Sequence, residues 1–543
     1  MRTRFGLMTL AALATAWLGM ATMGGAQSAP ATADPRVPGT TAQQAISAAA
    51  TALGGADKIH ALRNISLVGY AQYAYQNGGG NITGMPGAPQ KLIAANDYRR
   101  VYDLQNGRMY HQERRNDLFP FANYGGHDFA LQRQVLDGTI AYNINQQNQA
   151  IRGGDARDRR MWMHTHPVVA VRAALDPAAT VGNRRQENGL TLVDVTLKEG
   201  DTLTMAIRAP RNYPAWIRWS GPNVNLGEVA YTTHFYGYVP WDGIYMPLGY
   251  TTKLDWRDID FLKLYVDGYQ VNAQIDNLAA PASVTAPAVS QAGGAAGGRA
   301  GGPGGPGGNI QVTPIARGVW RFTGGTMAIE FADHLTLFEA GGGPDRVRTV
   351  VAMARNLVPG KPVTQLIQSH HHFDHTAGLR QAVAEGLTII SRRDNGVIFA
   401  EMMARRAPNF PDDLERNRRP FTFIPVDDHL QLKDSAMTMD IYHVIANNHM
   451  ADAVFAHIPE HKIMIEGDVA TAAEDLQWWG NSWLENIAHR EIAVEKNVPV
   501  HMDVMTTEQV IRMVNPGIQR VKEFCAQHLA KGNYFPGCPP QLR

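Results

Sequence analysis

The alternation of hydrophobic and polar positions changes its period twice along the chain, and each change marks a different architecture. From about Asp34 the sequence predicts a helix, with Thr40 and Gln43 at capping-box spacing and Gly54-Gly55 as its stop. Beyond it the period falls to two, as in Ser66-Leu67-Val68-Gly69-Tyr70-Ala71-Gln72-Tyr73, the mark of strands with one buried face. Asn106-Gly107, Asp137-Gly138 and Asp242-Gly243 fall between such runs and predict hairpin turns. The region to about Leu278 is therefore expected to be mostly antiparallel sheet with one or two helices. Residues 281–309 have no period. They are rich in Gly, Ala and Pro with the single charge Arg299, and such a stretch has too little apolar surface to fold. As a coil it would span roughly 30 Å. It sets an expected boundary between a β-rich domain, 34–280, and a second domain, 310–543, with few contacts crossing it.

After the coil, short continuous apolar runs replace the alternation. Residues 318–322, 327–331 and 335–338 read as three successive strands, and 345–357 as a helix. A buried strand over 363–368 and a helix over 379–384 follow, then strands ending near Asn447, Pro459, Asp468 and His501. Residues 478–491 predict an amphipathic helix, and Thr506 with Gln509 caps a last helical region interrupted at Pro516-Gly517. Strands alternating with helices define an α/β domain.

The chemistry is concentrated where the strand over 363–368 ends, in Ser369-His370-His371-His372-Phe373-Asp374-His375-Thr376. A strand-to-helix loop is where an α/β sheet presents its reactive groups. On an extended segment His370 and His372 share a face and can grip one ion, while Asp374 and His375 turn the other way and can hold a second. Imidazole and carboxylate donors suit Zn²⁺, with Mn²⁺ or Fe²⁺ as substitutes. The same alternation turns His371 off the metal face. His164-Thr165-His166 repeats the spacing, but no carboxylate and third histidine follow and Pro167 ends the segment, so these histidines are expected to be structural or at the surface.

His370-x-His372-x-Asp374-His375 resembles the signature of the metallo-β-lactamase superfamily. Four further stretches resemble that family's other motifs in the right order. These are the strands ending at Glu339, the loop carrying His449, the strand-Gly467-Asp468 arrangement, and the strand delivering His501. The resemblance implies an αββα sandwich over about 310–520. It assigns His370, His372 and His449 to one metal, Asp374, His375 and His501 to the other, and Asp468 as a bridge. It also implies a catalytic role for Asp374 in orienting a metal-bound hydroxide. The family usually has aspartate at the place of Glu339, glycine at that of Asn448 and Met502, and a small hydroxyl residue at that of Met450. These departures leave the loop-bracing role of Glu339 and the substrate contacts open. Ala52-Leu53-Gly54-Gly55-Ala56-Asp57-Lys58-Ile59 and Trp241-Asp242-Gly243-Ile244-Tyr245-Met246-Pro247 resemble parts of periplasmic lipoprotein-carrier folds, which implies a curved sheet able to cradle a greasy ligand or dock on the second domain.

Composition narrows the rest. A chain of 543 residues exceeds one ordinary core, and a net charge of +1 gives no footprint for nucleic acid. Arg2 and Arg4, the uncharged apolar stretch 5–23 and Gly24-Gly25-Ala26 read as a signal peptide over 1–26, hence a periplasmic or secreted protein with no membrane span after cleavage. Cys525 and Cys538 are the only cysteines and could close a short disulfide loop in an exported protein. The resemblance then implies a dinuclear zinc hydrolase of an ester, lactone or similar carboxylic bond in a small hydrophobic molecule, with Trp478, Trp479 and Trp483 as pocket candidates. Aspartate at 468, where zinc β-lactamases carry cysteine or serine, argues against β-lactamase activity. Two other readings stay open: an iron-dependent thiol or persulfide dioxygenase of the same fold, and a lipid or envelope binding module.

Overall fold

The computed structural model describes residues 41–75, 83–88, 90–117, 131–285, 310–447, 449–470 and 481–532. The expected signal peptide, most of the 281–309 coil, Asn448, Trp478, Trp479 and Cys538 lie outside the described residues. Among the described residues no helix is long and apolar enough to cross a membrane.

The first helix is Ala42–Ala52, and its capping box is Thr41 with Gln44, one residue beyond the expected pair. Thr41 Oγ1 accepts from the Gln44 amide at 3.1 Å, and Gln44 Oε1 accepts from the Thr41 amide at 2.6 Å. That register buries Ala45, Ile46, Ala49 and Ala50 together. Among the described residues up to Leu278, four helices appear where one or two were expected: Ala42–Ala52, Ala56–Ala61, Ala156–Met163 and Pro167–Ala174. Two of them are short insertions between strands and leave little periodic signal. Among the described residues the sheet has thirteen strands, all paired antiparallel, as expected. Strand Asn64–Ala74 lies mid-sheet, between Leu92–Asp103 and Ile259–Val271, so the start and end of the domain meet there. The three hairpins form where expected, and Asp242 and Gly243 take φ of 49° and 78°, the left-handed pair such a turn requires.

His164 and His166 are both buried. The His166 ring lies among Tyr102, Tyr250 and Tyr269, and neither of its nitrogens has a hydrogen-bond partner. Burial, with Arg100 adding to it, pushes its pKa down to about 3. Below the unfolded value of about 6.5 the unfolded chain binds a proton that the folded chain refuses, so stability falls as pH drops towards 3, by about 1.4 kcal/mol per unit. His166→Phe should remove that term, and its stability loss between pH 7 and pH 5 should be about 2 kcal/mol smaller than that of the unaltered chain. Urea midpoints at both values check this; parallel losses in the two proteins would refute it.

The second domain is an α/β/β/α stack. Seven strands, in the order Val312–Ala316, Val319–Phe322, Thr326–Glu330, Leu335–Phe338, Val363–Ile367, Thr388–Arg392 and Phe423–Val426, form one sheet. Six more, His429–Lys433, Thr438–His443, Val454–Ile458, Ile463–Glu466, Lys496–Pro499 and Met505–Thr506, form the other. Val319, Met327, Ile329, Phe338 and Ile367 face Met439, Ile441, Val454, Ile465 and Val498 between them. Helices Pro344–Leu357, Leu379–Ala384 and Asn395–Ala404 cover the first sheet, while Asn481–Arg490 and Thr507–Ala530 cover the second. The last helix runs through Pro516 without the expected interruption, and its Thr506–Gln509 capping box is present.

The two halves are not nearly separate, as the coil led us to expect. Leu226, Val229, Leu254 and Trp256 of the first share one core with Val347, Val351, Leu379, Ile398, Phe399 and Met402 of the second. The described residues form one compact unit. The first turn of the expected coil, Ala282–Thr285, is helical and buries Val284 against Val101, Val135, Tyr142 and Leu278.

Candidate metal centre

Strands Leu335–Phe338, Val363–Ile367, Thr438–His443, Ile463–Glu466 and Lys496–Pro499 run the same way within their sheets, and the segments leaving their carboxyl ends converge on one edge of the sandwich. The Ser369 carbonyl accepts from the Val454 amide at 2.8 Å and ties the two sheets together there. All seven residues expected to be ligands meet at this edge. His370, His372, His449 and Asp468 form one group of donors and Asp374, His375 and His501 another. Asp468 lies between them: its Oδ2 is 3.1 Å from His449 Nε2 and 3.2 Å from His375 Nε2, and its Oδ1 is 3.3 Å from His501 Nε2. His370, His372 and His375 are buried, whereas the side chains of Asp374 and His501 are 41% and 40% exposed, so the site opens on the side of the second group.

The electrostatics sort the donors. Burial, reinforced by neighbouring imidazoles, holds the pKa values of His370 and His372 well below the usual histidine range, which keeps both rings neutral. Their Nε2 atoms are buried and have no hydrogen-bond partner. Burial opposes charge on Asp468 too, but His375 and His501 hold its carboxyl well below the carboxylate range. For His375, burial is outweighed by Asp468, Asp374 and Glu339, which raise it well above the ordinary value. Asp468 sits at φ 62°, a left-handed conformation that non-glycine residues adopt at a cost. The neighbouring glycine is required, because a Cβ on Gly467 would lie 2.5 Å from Ser369 Oγ.

Glu339 braces the loop despite standing where aspartate is usual. It is buried, with φ 82°. Its Oε1 accepts from Gln368 Nε2 at 2.6 Å and from the Ala340 amide at 3.1 Å. Its Oε2 accepts from Ser369 Oγ at 2.5 Å and from His375 Nδ1 at 3.1 Å. Ser369 Oγ in turn lies 3.0 Å from His370 Nδ1. A neutral histidine that donates from Nδ1 presents a bare Nε2, so one carboxylate selects that form of the neutral ring at both His370 and His375.

His371 points away from the donor groups, as its alternation predicts, and is buried in the core. Its Nδ1 is 2.9 Å from Asp452 Oδ1, and Asp452 Oδ2 accepts from the Gly84 amide of the first domain at 2.8 Å. Asn225 and Trp256 also reach the motif from the first domain: Asn225 Nδ2 donates to the Phe373 carbonyl, and the Trp256 ring lies 5.5 Å from that of Phe373. Lys91, its pKa lowered by burial to about 8 against the pull of Asp452, adds positive potential at His372. None of these first-domain residues has a local signal in the sequence. Trp483 is a core residue, fully buried with Nε1 donating to Asn497 Oδ1 at 3.0 Å, and does not line a pocket. His443, His457 and His461 bond backbone carbonyls away from the centre.

Residues 324–480 match the family model described as the metallo-beta-lactamase superfamily. The second domain therefore carries the metallo-β-lactamase fold, and the match supports a metal-dependent hydrolase. Six of the seven candidate ligands fall inside the matched residues, and His501 lies beyond them. Among solved structures, the chain is similar to a metallo-beta-lactamase from Pontibacter korlensis, with 15% identity, 39% of this chain and 99% of that one covered, and a TM-score of 0.31. It is also similar to a metallo-beta-lactamase from Hirschia baltica, with 15% identity, 38% and 97% covered, and a TM-score of 0.30. No curated protein matches the chain. The resemblance of the first domain to lipoprotein carriers finds no support in these comparisons.

Proposed function

We propose that this protein is an exported dinuclear zinc hydrolase acting on an ester, lactone or similar carboxylic bond of a small hydrophobic molecule. One observation carries the reading: a single carboxylate, Asp468, stands between two groups of histidine and aspartate donors. The residues fit zinc. Two buried neutral imidazoles present unpartnered Nε2 atoms, which are nitrogen donors lacking an electrophile, and oxygen donors complete each group. When bound, the metal pair supplies a water acidified towards neutral pH and a Lewis acid for the substrate oxygen.

The protein's own residues do the rest. His370, His372 and His449 would hold one ion, Asp374, His375 and His501 the other, and Asp468 would bridge them. Glu339 keeps His370 and His375 in the tautomers that can ligate. Asp374, at the open side, would orient the attacking water by accepting a hydrogen bond from it. The partly exposed Asp374 and His501 mark the side from which substrate enters.

Elemental analysis of chain produced in zinc medium should find about two zinc ions per protein. The same preparation should turn over members of a panel of aryl esters and lactones, and intact mass of envelope protein should begin near Gln27. One iron per chain with oxygen uptake on thiols, or no turnover of any carboxylic bond, would refute the hydrolase reading. Retention of residues 1–26 would refute export.

A further inference from the structure

The hairpin joining strands Tyr213–Asn223 and Gly227–Trp241 ends inside the second domain. Asn223 Oδ1 accepts from the amides of Asn225 and Leu226, both at 3.0 Å, and so shapes the tip. Leu226 is fully buried, and Arg405 Nε donates to its carbonyl at 3.0 Å. Gly227, at φ +72°, lets the tip pass close to Arg380: a Cβ there would lie 3.0 Å from Arg380 Nη2. The tip thus holds Asn225 rigidly, 3% exposed, with Nδ2 donating to the Phe373 carbonyl at 3.0 Å and to Thr376 Oγ1 at 2.8 Å. Thr376 Oγ1 donates onward to the His372 carbonyl at 2.9 Å.

Phe373 and Thr376 are the two ends of the helical turn Phe373–Thr376, and the residues between them are Asp374 and His375. A turn of four residues has too few internal hydrogen bonds to hold its own shape. Its geometry is set from outside, and on this side the outside is the first domain. The first metal group is tied to the turn only through the backbone carbonyl of His372, which caps it, while His370 precedes it and His449 comes from another loop.

We propose that Asn225 is a positioning residue for the second metal group, fixing the turn that carries Asp374 and His375, so that the first domain is a working part of the metal centre. This rests on the dinuclear reading above. In Asn225→Asp a carboxylate oxygen replaces the donor and faces the Phe373 carbonyl, at almost unchanged volume. Thr376→Val removes the Oγ1 acceptor of Asn225 isosterically, together with the Oγ1 bond to the His372 carbonyl, should the first variant fail to fold. Glu228→Ala breaks an exposed contact of the same interface, to Asn409, and serves as the control.

The test titrates metal-free full-length chain with Co²⁺ and follows visible absorption, with melting temperature and steady-state kinetics alongside. The unaltered chain and Glu228→Ala should take two equivalents. Asn225→Asp and Thr376→Val should keep the first affinity within about twofold and lose roughly 10–100-fold in the second, the usual scale for a residue behind a ligand. Their kcat should fall with little change in KM, and the spectrum of the second equivalent should shift. Unchanged second-equivalent affinity, or equal weakening of both equivalents with a lowered melting temperature, would overturn the proposal. If the unaltered chain takes no second equivalent, the dinuclear reading itself has failed, and that failure shows before any variant is made.

Discussion

Replacing His372 with alanine is expected to remove hydrolysis and bound metal while leaving the fold in place; the same change at His371 is expected to do the reverse. His372 presents a buried, unpartnered Nε2 to the first donor group, so its loss removes a ligand and no internal hydrogen bond from that atom. The activity loss should exceed the roughly 10–100-fold typical of residues behind a ligand. His371 has strand alternation against it as a ligand, which alone would make His371→Ala nearly silent. The structure corrects that expectation. His371 is fully buried and partners Asp452, whose other oxygen accepts from Gly84. Truncation leaves a buried carboxylate short of a partner beside a new cavity, at a cost of about 3 kcal/mol or more. Metal content per folded chain and thermal melting, measured on both variants, separate the two fates. Metal loss in His371→Ala with retention in His372→Ala would place the motif in the wrong register.

The second large effect is expected at Glu339. Glu339→Gln keeps the size of the side chain but removes the charge that faces His375 Nδ1 and Ser369 Oγ. It should lower metal affinity and kcat by roughly 10–100-fold. Glu339→Ala should be worse, because Gln368, Ser369 and His375 would all lose a buried acceptor, each at about 1–3 kcal/mol. Zinc retained at fixed free-metal concentration, with melting temperature as the companion measurement, tests both. Glu339→Gln that holds zinc as the unaltered chain does would refute the tautomer argument.

The candidate ligands were legible because they are local: each follows a strand whose apolar run announces itself, and imidazole and carboxylate are recognisable by chemistry alone. Glu339 was legible in position but not in role. The extra methylene relative to aspartate matters only once the left-handed backbone at 339 and the places of Gln368, Ser369 and His375 are known. Gly84, Asn225 and Trp256 were not legible. A glycine, a hairpin-tip asparagine and an aromatic on a turn are ordinary turn residues until a distant segment is packed against them. The coil misled in the same way. Its composition reports that the stretch itself has little to bury, and says nothing about how much the segments on either side bury against each other.

That shared core changes what the coil is for. With Leu226, Val229, Leu254 and Trp256 seated among Val347, Leu379 and Phe399, the two fragments depend on each other, and the stretch 286–309 joins them covalently, as a leash would. A leash raises the effective concentration of one fragment at the other without contributing a contact. Two polypeptides cut within that stretch and produced together should therefore reassemble into one particle. The C-terminal fragment made alone would expose an unmatched apolar face and an unbraced metal turn.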